Sequence, residues 1–215
     1  MRQVAVLVEG PTEEAIVRDV LVPAALRRTV RLVPIIVITS ATPAGARRGG
    51  GHWRHYNKQL QALLRGSHWH RVGLLIDYYQ YPQGAPGRDA ECRNHGEHQR
   101  AITEALRAAH PDPRFRPLVV LHEIESLVLA AVDAGQGDGV IPDHALADLR
   151  RAITRAGGPE KVNNGPSTSP SKRLARASRH YDKVMTGPGL IADAGLSAIL
   201  ERCPVFAAWW KDLLA

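Results

Sequence analysis

The sequence predicts an α/β fold: a parallel sheet of about four strands flanked by helices, continued by a helical C-terminal extension. Three observations carry that prediction. Continuous apolar runs recur, first Val4-Ala5-Val6-Leu7-Val8 and later Val72-Gly73-Leu74-Leu75-Ile76, as strands covered on both faces require. Between them lie stretches of helical periodicity, the βαβ order of a parallel sheet. After Asp133 the strand-like runs stop and helical patterning alone remains.

The elements follow in order. Glu9-Gly10-Pro11-Thr12 interrupts the first strand. Thr12 reads as an N-cap, with Glu13 and Glu14 in the first turn, where the helix dipole favours anions. The helix runs to about residue 28 with Ile16, Val17, Val20, Leu21 and Ala24 inward; Pro23 predicts a kink, or an early end near Val22. A second buried strand covers 32–38. Residues 40–51, rich in Gly, Ala, Pro and Arg, read as a mobile loop. A helix over 53–65 precedes the third strand, which ends at Asp77. A loop over 78–94 leads to a helix over 96–109, a fourth strand over 115–121 and an apolar helix over 124–132. The extension carries helices over 143–156 and 171–184, with shorter ones near Leu190 and across 205–214. The chain thus divides into a core, 1–133, and a helical extension, 134–215, packed on it.

Of the residues, 44% are hydrophobic and 23% charged, a globular composition rather than a disordered one. No stretch reaches the roughly 18 apolar residues of a membrane span. Met1-Arg2-Gln3 and the short run after it lack the apolar region of a signal peptide. Two cysteines, Cys92 and Cys203, imply no disulfide framework, and a cytoplasmic location is expected. The formal net charge is +7, and it is local. Nine basic residues face two acidic ones, Glu160 and Asp182, between Arg150 and Lys183, while the rest of the chain balances at 19 and 19. A concentrated basic segment points to a polyanion such as nucleic acid; a solvated basic face is the plain alternative.

In an open parallel sheet, functional residues gather at the carboxyl ends of strands. Three of the four strands here end on acids: Glu9, Asp77, and His122-Glu123-Ile124-Glu125. Glu13 lies one helical turn beyond Glu9 and can face the same crevice. Converging carboxylates repel one another unless a cation separates them, and hard oxygen ligands suit Mg²⁺ or Mn²⁺. The plain alternative for each acid alone is a surface or capping residue.

Leu7-Val8-Glu9-Gly10-Pro11-Thr12-Glu13-Glu14 is similar to the opening Glu-Gly motif of Toprim domains, found in primases, topoisomerases, recombination mediators and OLD-type nucleases. More closely, the chain resembles the bacterial DUF4276 family, considered Toprim-like. That resemblance runs through Leu75-Ile76-Asp77-Tyr78-Tyr79, Leu121-His122-Glu123-Ile124-Glu125, Pro170-Ser171-Lys172-Arg173-Leu174, Tyr181-Asp182-Lys183 and Cys203-Pro204. It implies a Toprim-type, Rossmann-like sheet and a metal-dependent nuclease. Toprim-like nucleases of bacterial phage-defence systems often work with an ATPase. No Gly-x-x-x-x-Gly-Lys-Ser/Thr loop occurs here, so that ATPase would be a separate subunit. One departure matters: Toprim domains usually carry Asp-x-Asp after the third strand, and here the triplet is Asp77-Tyr78-Tyr79. Glu123 or Glu125 could replace the missing acid. On a helix they diverge by about 200°, which favours Glu125 in the crevice, with Glu123 capping the helix or serving a second metal.

Lys172, Arg176, Arg179 and Lys183 fall at i, i+4, i+7 and i+11, one face of the expected basic helix, suited to backbone phosphates. Arg47 and Arg48, with Gly49-Gly50-Gly51-His52, form a second basic loop. Cys92-x-x-His95-x-x-His98 has one cysteine, short of a four-ligand zinc site, and reads as loop histidines. Trp53, Trp69, Trp209 and Trp210 read as packing anchors. The expected function is therefore metal-dependent phosphodiester cleavage. Glu9 and Asp77 act at the metal, Glu13, Glu123 and Glu125 complete the acidic site, and Lys172 and Arg173 hold the scissile strand. The alternative is a non-catalytic module that binds nucleic acid or a partner protein.

Overall fold

The computed structural model describes residues 1–42, 45–48, 51–163, 165 and 167–215. Its strands are β1 (Arg2–Val8), β2 (Val30–Ile36), β3 (Ile38–Thr42), β4 (Gly45–Arg48), β5 (Trp69–Asp77) and β6 (Phe115–Val120). Four of them build a parallel sheet in the order β2-β1-β5-β6. From β1 the chain first adds a strand on one side and then crosses to the other. The carboxyl ends of β1 and β5 therefore flank a topological switch point, where open α/β sheets form their crevice. β3 and β4 pair as a separate antiparallel ribbon, so the expected loop over 40–51 is partly strand. Gly49 and Gly50, and the side chains of Arg47 and Arg48, lie outside the described residues.

The helices are α1 (Pro11–Ile16), α2 (Val22–Leu26), α3 (Trp53–Arg65), α4 (His95–Ala109), α5 (Ser126–Asp133), α6 (Asp143–Ala156), α7 (Pro170–Ala177), α8 (Thr186–Ala194), α9 (Leu196–Arg202) and α10 (Pro204–Leu214). A π-helical turn, Val17–Leu21, joins α1 to α2. Pro23 explains it: the ring removes one backbone donor and crowds the preceding turn, and Val22 N–H reaches back to the Val17 carbonyl instead. The N-cap of α1 is Gly10, one turn edge earlier than the expected Thr12, with Pro11 in the first helical position.

Alternation along β1 sends side chains to both faces. Val4, Val6 and Val8 enter one apolar core with the α1–α2 helix and α5, and Leu7 enters a second with Tyr56 and Leu60 of α3 and Ile102 and Leu106 of α4. The extension belongs to the first core: Leu190, Ile191, Ile199, Phe206, Trp209 and Trp210 are buried in it. The two C-terminal tryptophans are thus packing anchors, and Trp209 Nε1 donates to the Arg116 carbonyl. Among the described residues no helix is long and apolar enough to cross a membrane.

The outermost strands face away from the sheet in a particular way. Val72 N and Tyr78 N donate to Arg114 and Val120 carbonyls, so Phe115, Pro117 and Val119 turn their backbone groups outward. Phe115 N donates to the Asp112 carbonyl, Pro117 has no N–H, and the Val119 carbonyl accepts from Gln99 at 2.6 Å. At the opposite edge Val37 N donates to the Val8 carbonyl, which places Pro34 among the outward residues of β2.

The basic helix expected over 171–184 is the main correction to the fold. α7 ends at Ala177. Residues 178–185 leave it as a loop, and Asp182 then organises the next helix: its Oδ1 accepts from Val184 N at 2.8 Å and Met185 N at 2.7 Å. An aspartate placed just ahead of a helix competes for backbone donors in this way. Arg179 and Lys183 therefore do not share a helix face with Lys172 and Arg176.

Candidate functional site

The carboxylates converge. Glu9 follows β1, Glu13 lies in α1, Asp77 ends β5, and Glu123 and Glu125 follow β6; all five line one crevice of about 300 Å³ at the carboxyl edge of the sheet. The register accounts for the meeting, because β1 pairs in parallel with β5 and β5 with β6. Equivalent strand ends thus lie side by side. Glu13 is drawn in by the capping arrangement of α1, its Oε2 accepting from Gly10 N at 2.9 Å.

Glu123 and Glu125 overturn the expectation that only one would face the crevice. Neither lies in the body of a helix, since α5 begins at Ser126. The chain turns left-handed at His122, φ 75°, and the His122 carbonyl accepts from Tyr79 N at 2.8 Å. The 200° divergence of a helix does not apply to such a turn. Glu123 does cap a helix, but not its own: its carboxylate accepts from Ser171 N at 2.8 Å and Ser171 Oγ at 2.9 Å, at the start of α7.

Burial and mutual repulsion dominate the electrostatics. Burial, then the Glu13 charge, raises Glu9 from 4.5 to about 7, with the nearby Tyr56 hydroxyl and Lys183 opposing. Burial, then Glu123, raises Glu125 to about 7. Glu13 is raised by burial against its own backbone hydrogen bonds. Asp77 is pushed well above the carboxylate range by burial and then by Glu13, Glu125, Glu9 and Glu123. Asp77 Oδ1 is buried with no hydrogen-bond partner among the described residues. A buried carboxylate oxygen left unpaired amid four other acids is costly unless the group holds a proton or meets a cation. Among the described residues, no three of His, Cys, Asp or Glu stand together in a set that would hold a metal ion.

The basic residues distribute differently from the expectation. Lys172 is exposed and does not line the crevice. Arg173 Nε donates to the Thr168 carbonyl at 2.7 Å, and Arg173 and Arg176 line a separate hollow with His144 and Asp148. Arg176 and Arg179 line another beside His180. Lys183 is the basic side chain that does line the crevice. Leaving the helix is what takes it there, so its helical spacing gave a misleading face.

Sequence reasoning missed four neighbours. Thr12, Tyr79 and Gln80 line the crevice; each lies within three residues of a predicted acid, and that closeness was the available signal. Tyr56 is wholly buried below Glu9 without a hydrogen bond of ordinary geometry, and nothing in the pattern of α3 distinguishes it from a core residue. His95, His98 and His122 gather around Tyr78: ring centroids lie 5.5, 5.5 and 6.4 Å from it. Both His98 ring nitrogens are engaged, by the Tyr78 hydroxyl at 2.9 Å and the Gly87 carbonyl at 3.0 Å.

Fold and site together define an α/β protein with an acidic crevice at the switch point of its sheet. The chain belongs to the DUF4276 family, whose model, described as a domain of unknown function, matches residues 8–214. No curated protein and no solved structure matches it.

Proposed function

We propose that this protein is a Toprim-like, divalent-metal-dependent enzyme that cleaves phosphodiester bonds in nucleic acid. The observation that supports this reading best is the unpaired, buried Asp77 Oδ1 at the centre of five converging carboxylates. Asp77, Glu9, Glu13 and Glu125 are the residues that would hold Mg²⁺ or Mn²⁺, an all-oxygen donor set suited to a hard cation. Once bound, such an ion polarises a phosphoryl oxygen and makes water a stronger nucleophile at neutral pH. Glu9, raised to about 7 by burial and Glu13 in the metal-free crevice, serves as general acid/base where it does not ligate the ion. Glu123, tied to Ser171, holds the extension against the crevice. Lys183, rather than Lys172, is placed to meet a phosphate at the crevice. Arg173, Arg176 and Arg179 form outlying basic contacts for the strand. A cytoplasmic setting and a separate ATPase partner in phage defence belong to this proposal as the Toprim resemblance implies them.

The test is calorimetry of Mg²⁺ and Mn²⁺ binding alongside cleavage of plasmid and single-stranded substrates. Asp77→Ala and Glu9→Gln should each abolish metal-dependent cleavage, and Asp77→Ala should abolish metal binding. Cleavage that survives both substitutions overturns the assignment.

A non-catalytic binding module is the second reading. The triplet Asp77-Tyr78-Tyr79 lacks a second acid, and the carboxylates do not stand in a closed ligand set. Such a module retains its nucleic-acid affinity in EDTA and leaves the substrate intact.

A further inference from the structure

The crevice is walled rather than open. Gly10, Pro11 and Thr12 form one side, Tyr79 and Gln80 a second, Glu123 and Glu125 a third, and the extension closes the fourth through Ser171, Lys183 and Val184. The fourth wall is fastened to the third by the two hydrogen bonds from Ser171 to Glu123. It is held again by Tyr181, packed against the core that contains α5. The acids lie at the bottom, where the Asp77 Oδ1 atom has no exposure.

Two side chains at this crevice, Tyr79 and Lys183, are free of ring stacking and ion pairing among the described residues. Tyr79 is half-buried, its backbone pinned to the His122 carbonyl. The neighbouring Tyr78 ring is engaged by His95, His98 and His122, and among the described residues no ring packs on Tyr79. Lys183 is exposed, and among the described residues no carboxylate lies within 4.0 Å ion-pair distance of it. The electrostatic influence of Lys183 nevertheless reaches Glu9, Glu13 and Glu125. An uncommitted aromatic face and an uncommitted cation lining one cleft form the pair that sequence-tolerant single-strand sites use: stacking for the base, charge for the backbone.

We propose that the crevice takes an unpaired strand, with Tyr79 stacking one base and Lys183 gripping the adjacent phosphate. This rests on the phosphodiester reading above and names its substrate class. The physical reason is stiffness. A duplex, with a persistence length of about 150 base pairs, bends towards a recessed site only at a cost of about 1–6 kcal/mol, and it keeps its bases stacked inside, so it offers Tyr79 no face without unpairing. A single strand turns freely at each nucleotide and presents both groups at once. The basic hollows at Arg176 and Arg179 lie on the same segment as Lys183, which gives such a strand a continuation away from the crevice.

The experiment is fluorescence anisotropy of a labelled single-stranded oligonucleotide and of the blunt duplex of the same sequence, in Ca²⁺ and in EDTA, with Mg²⁺ and Mn²⁺ cleavage measured on both. The expected result is single-strand binding at least about tenfold tighter than duplex binding. Tyr79→Ala and Lys183→Gln should each lower it by about tenfold, the size of one stacked base, while Tyr79→Phe retains it. Circular dichroism and thermal melting of the variants establish that they fold. Duplex bound as tightly as single strand, or affinity indifferent to both substitutions, overturns the inference. Single-strand preference without metal-dependent cleavage upholds the inference and overturns the enzyme reading; equal cleavage of both forms, with no preference in binding, does the reverse.

Discussion

At the scale of single residues, the acids of this protein divide by what their oxygens touch. Glu123 is satisfied by Ser171 and Glu13 by Gly10, whereas Asp77 Oδ1 has no partner. Replacing Asp77 by Asn removes a buried carboxyl whose ionisation is opposed by burial and by four neighbouring acids. Asp77→Asn should therefore melt no lower than the wild type at pH 8 in EDTA, and cleavage should fall by more than about a hundredfold, the loss that follows removal of one transition-state contact. Differential scanning fluorimetry and a single-turnover assay separate the two effects. The strand-end acids were legible in the sequence because strand ends are legible. The pairing of Glu123 with Ser171 was not, since 48 residues separate them and no periodicity spans such a gap.

At the scale of elements, carboxylates from distant positions start two helices of the extension. Glu123 caps α7, and Glu160 caps α10 by accepting from Val205 N at 3.1 Å and Phe206 N at 2.9 Å. Glu160 counted only as an exception within a basic segment when read along the chain; in space it supplies the acceptor that Pro204 and its neighbours lack. Glu160→Ala leaves two amide groups uncapped and should cost about 1–2 kcal/mol in urea unfolding. Glu160→Gln keeps an acceptor and should cost much less. The long helix expected over 171–184 failed for the same kind of reason. Its amphipathic spacing is real through Ala177, but Asp182 offers backbone donors a local alternative, and side-chain competition of that sort overrides a periodic pattern. The α1–α2 helix behaved as its Pro23 demands, with a π turn in place of a break.

At the scale of the whole molecule, the acidic crevice sets a pH dependence. Glu9 and Glu125 rise from 4.5 to about 7 on folding, burial being the first cause in both. A carboxylate with a raised folded-state pKa binds more protons folded than unfolded between those values. Its contribution to stability is whole below about pH 4.5 and is lost as pH climbs through about 7. The melting temperature in EDTA should therefore fall across that window, and Glu9→Gln should flatten the fall. Mg²⁺ or Mn²⁺ at about a hundred times its dissociation constant should restore about 2.7 kcal/mol at alkaline pH. A pH profile unchanged by metal would place the cation site elsewhere. The parallel sheet and its flanking helices were legible because βαβ alternation is written in local runs. That the extension packs on the core was expected as well; that Phe206, Trp209 and Trp210 join the cluster of β1 and α5 was not, because no local run names a partner across the chain.

The two prolines at the margins of the sheet have a consequence of their own. Pro34 and Pro117 stand where a further strand would seek a donor, and Gln99 already occupies the Val119 carbonyl. A parallel sheet with open borders is a template on which unrelated or identical chains can polymerise. Here both borders are blunted by residues that cannot continue the ladder. Crowded or concentrated solutions of the protein should accordingly resist fibre growth and clouding. Substituting Pro117 by Val, which restores an outward N–H beside Phe115, should raise light scattering before it changes the melting temperature.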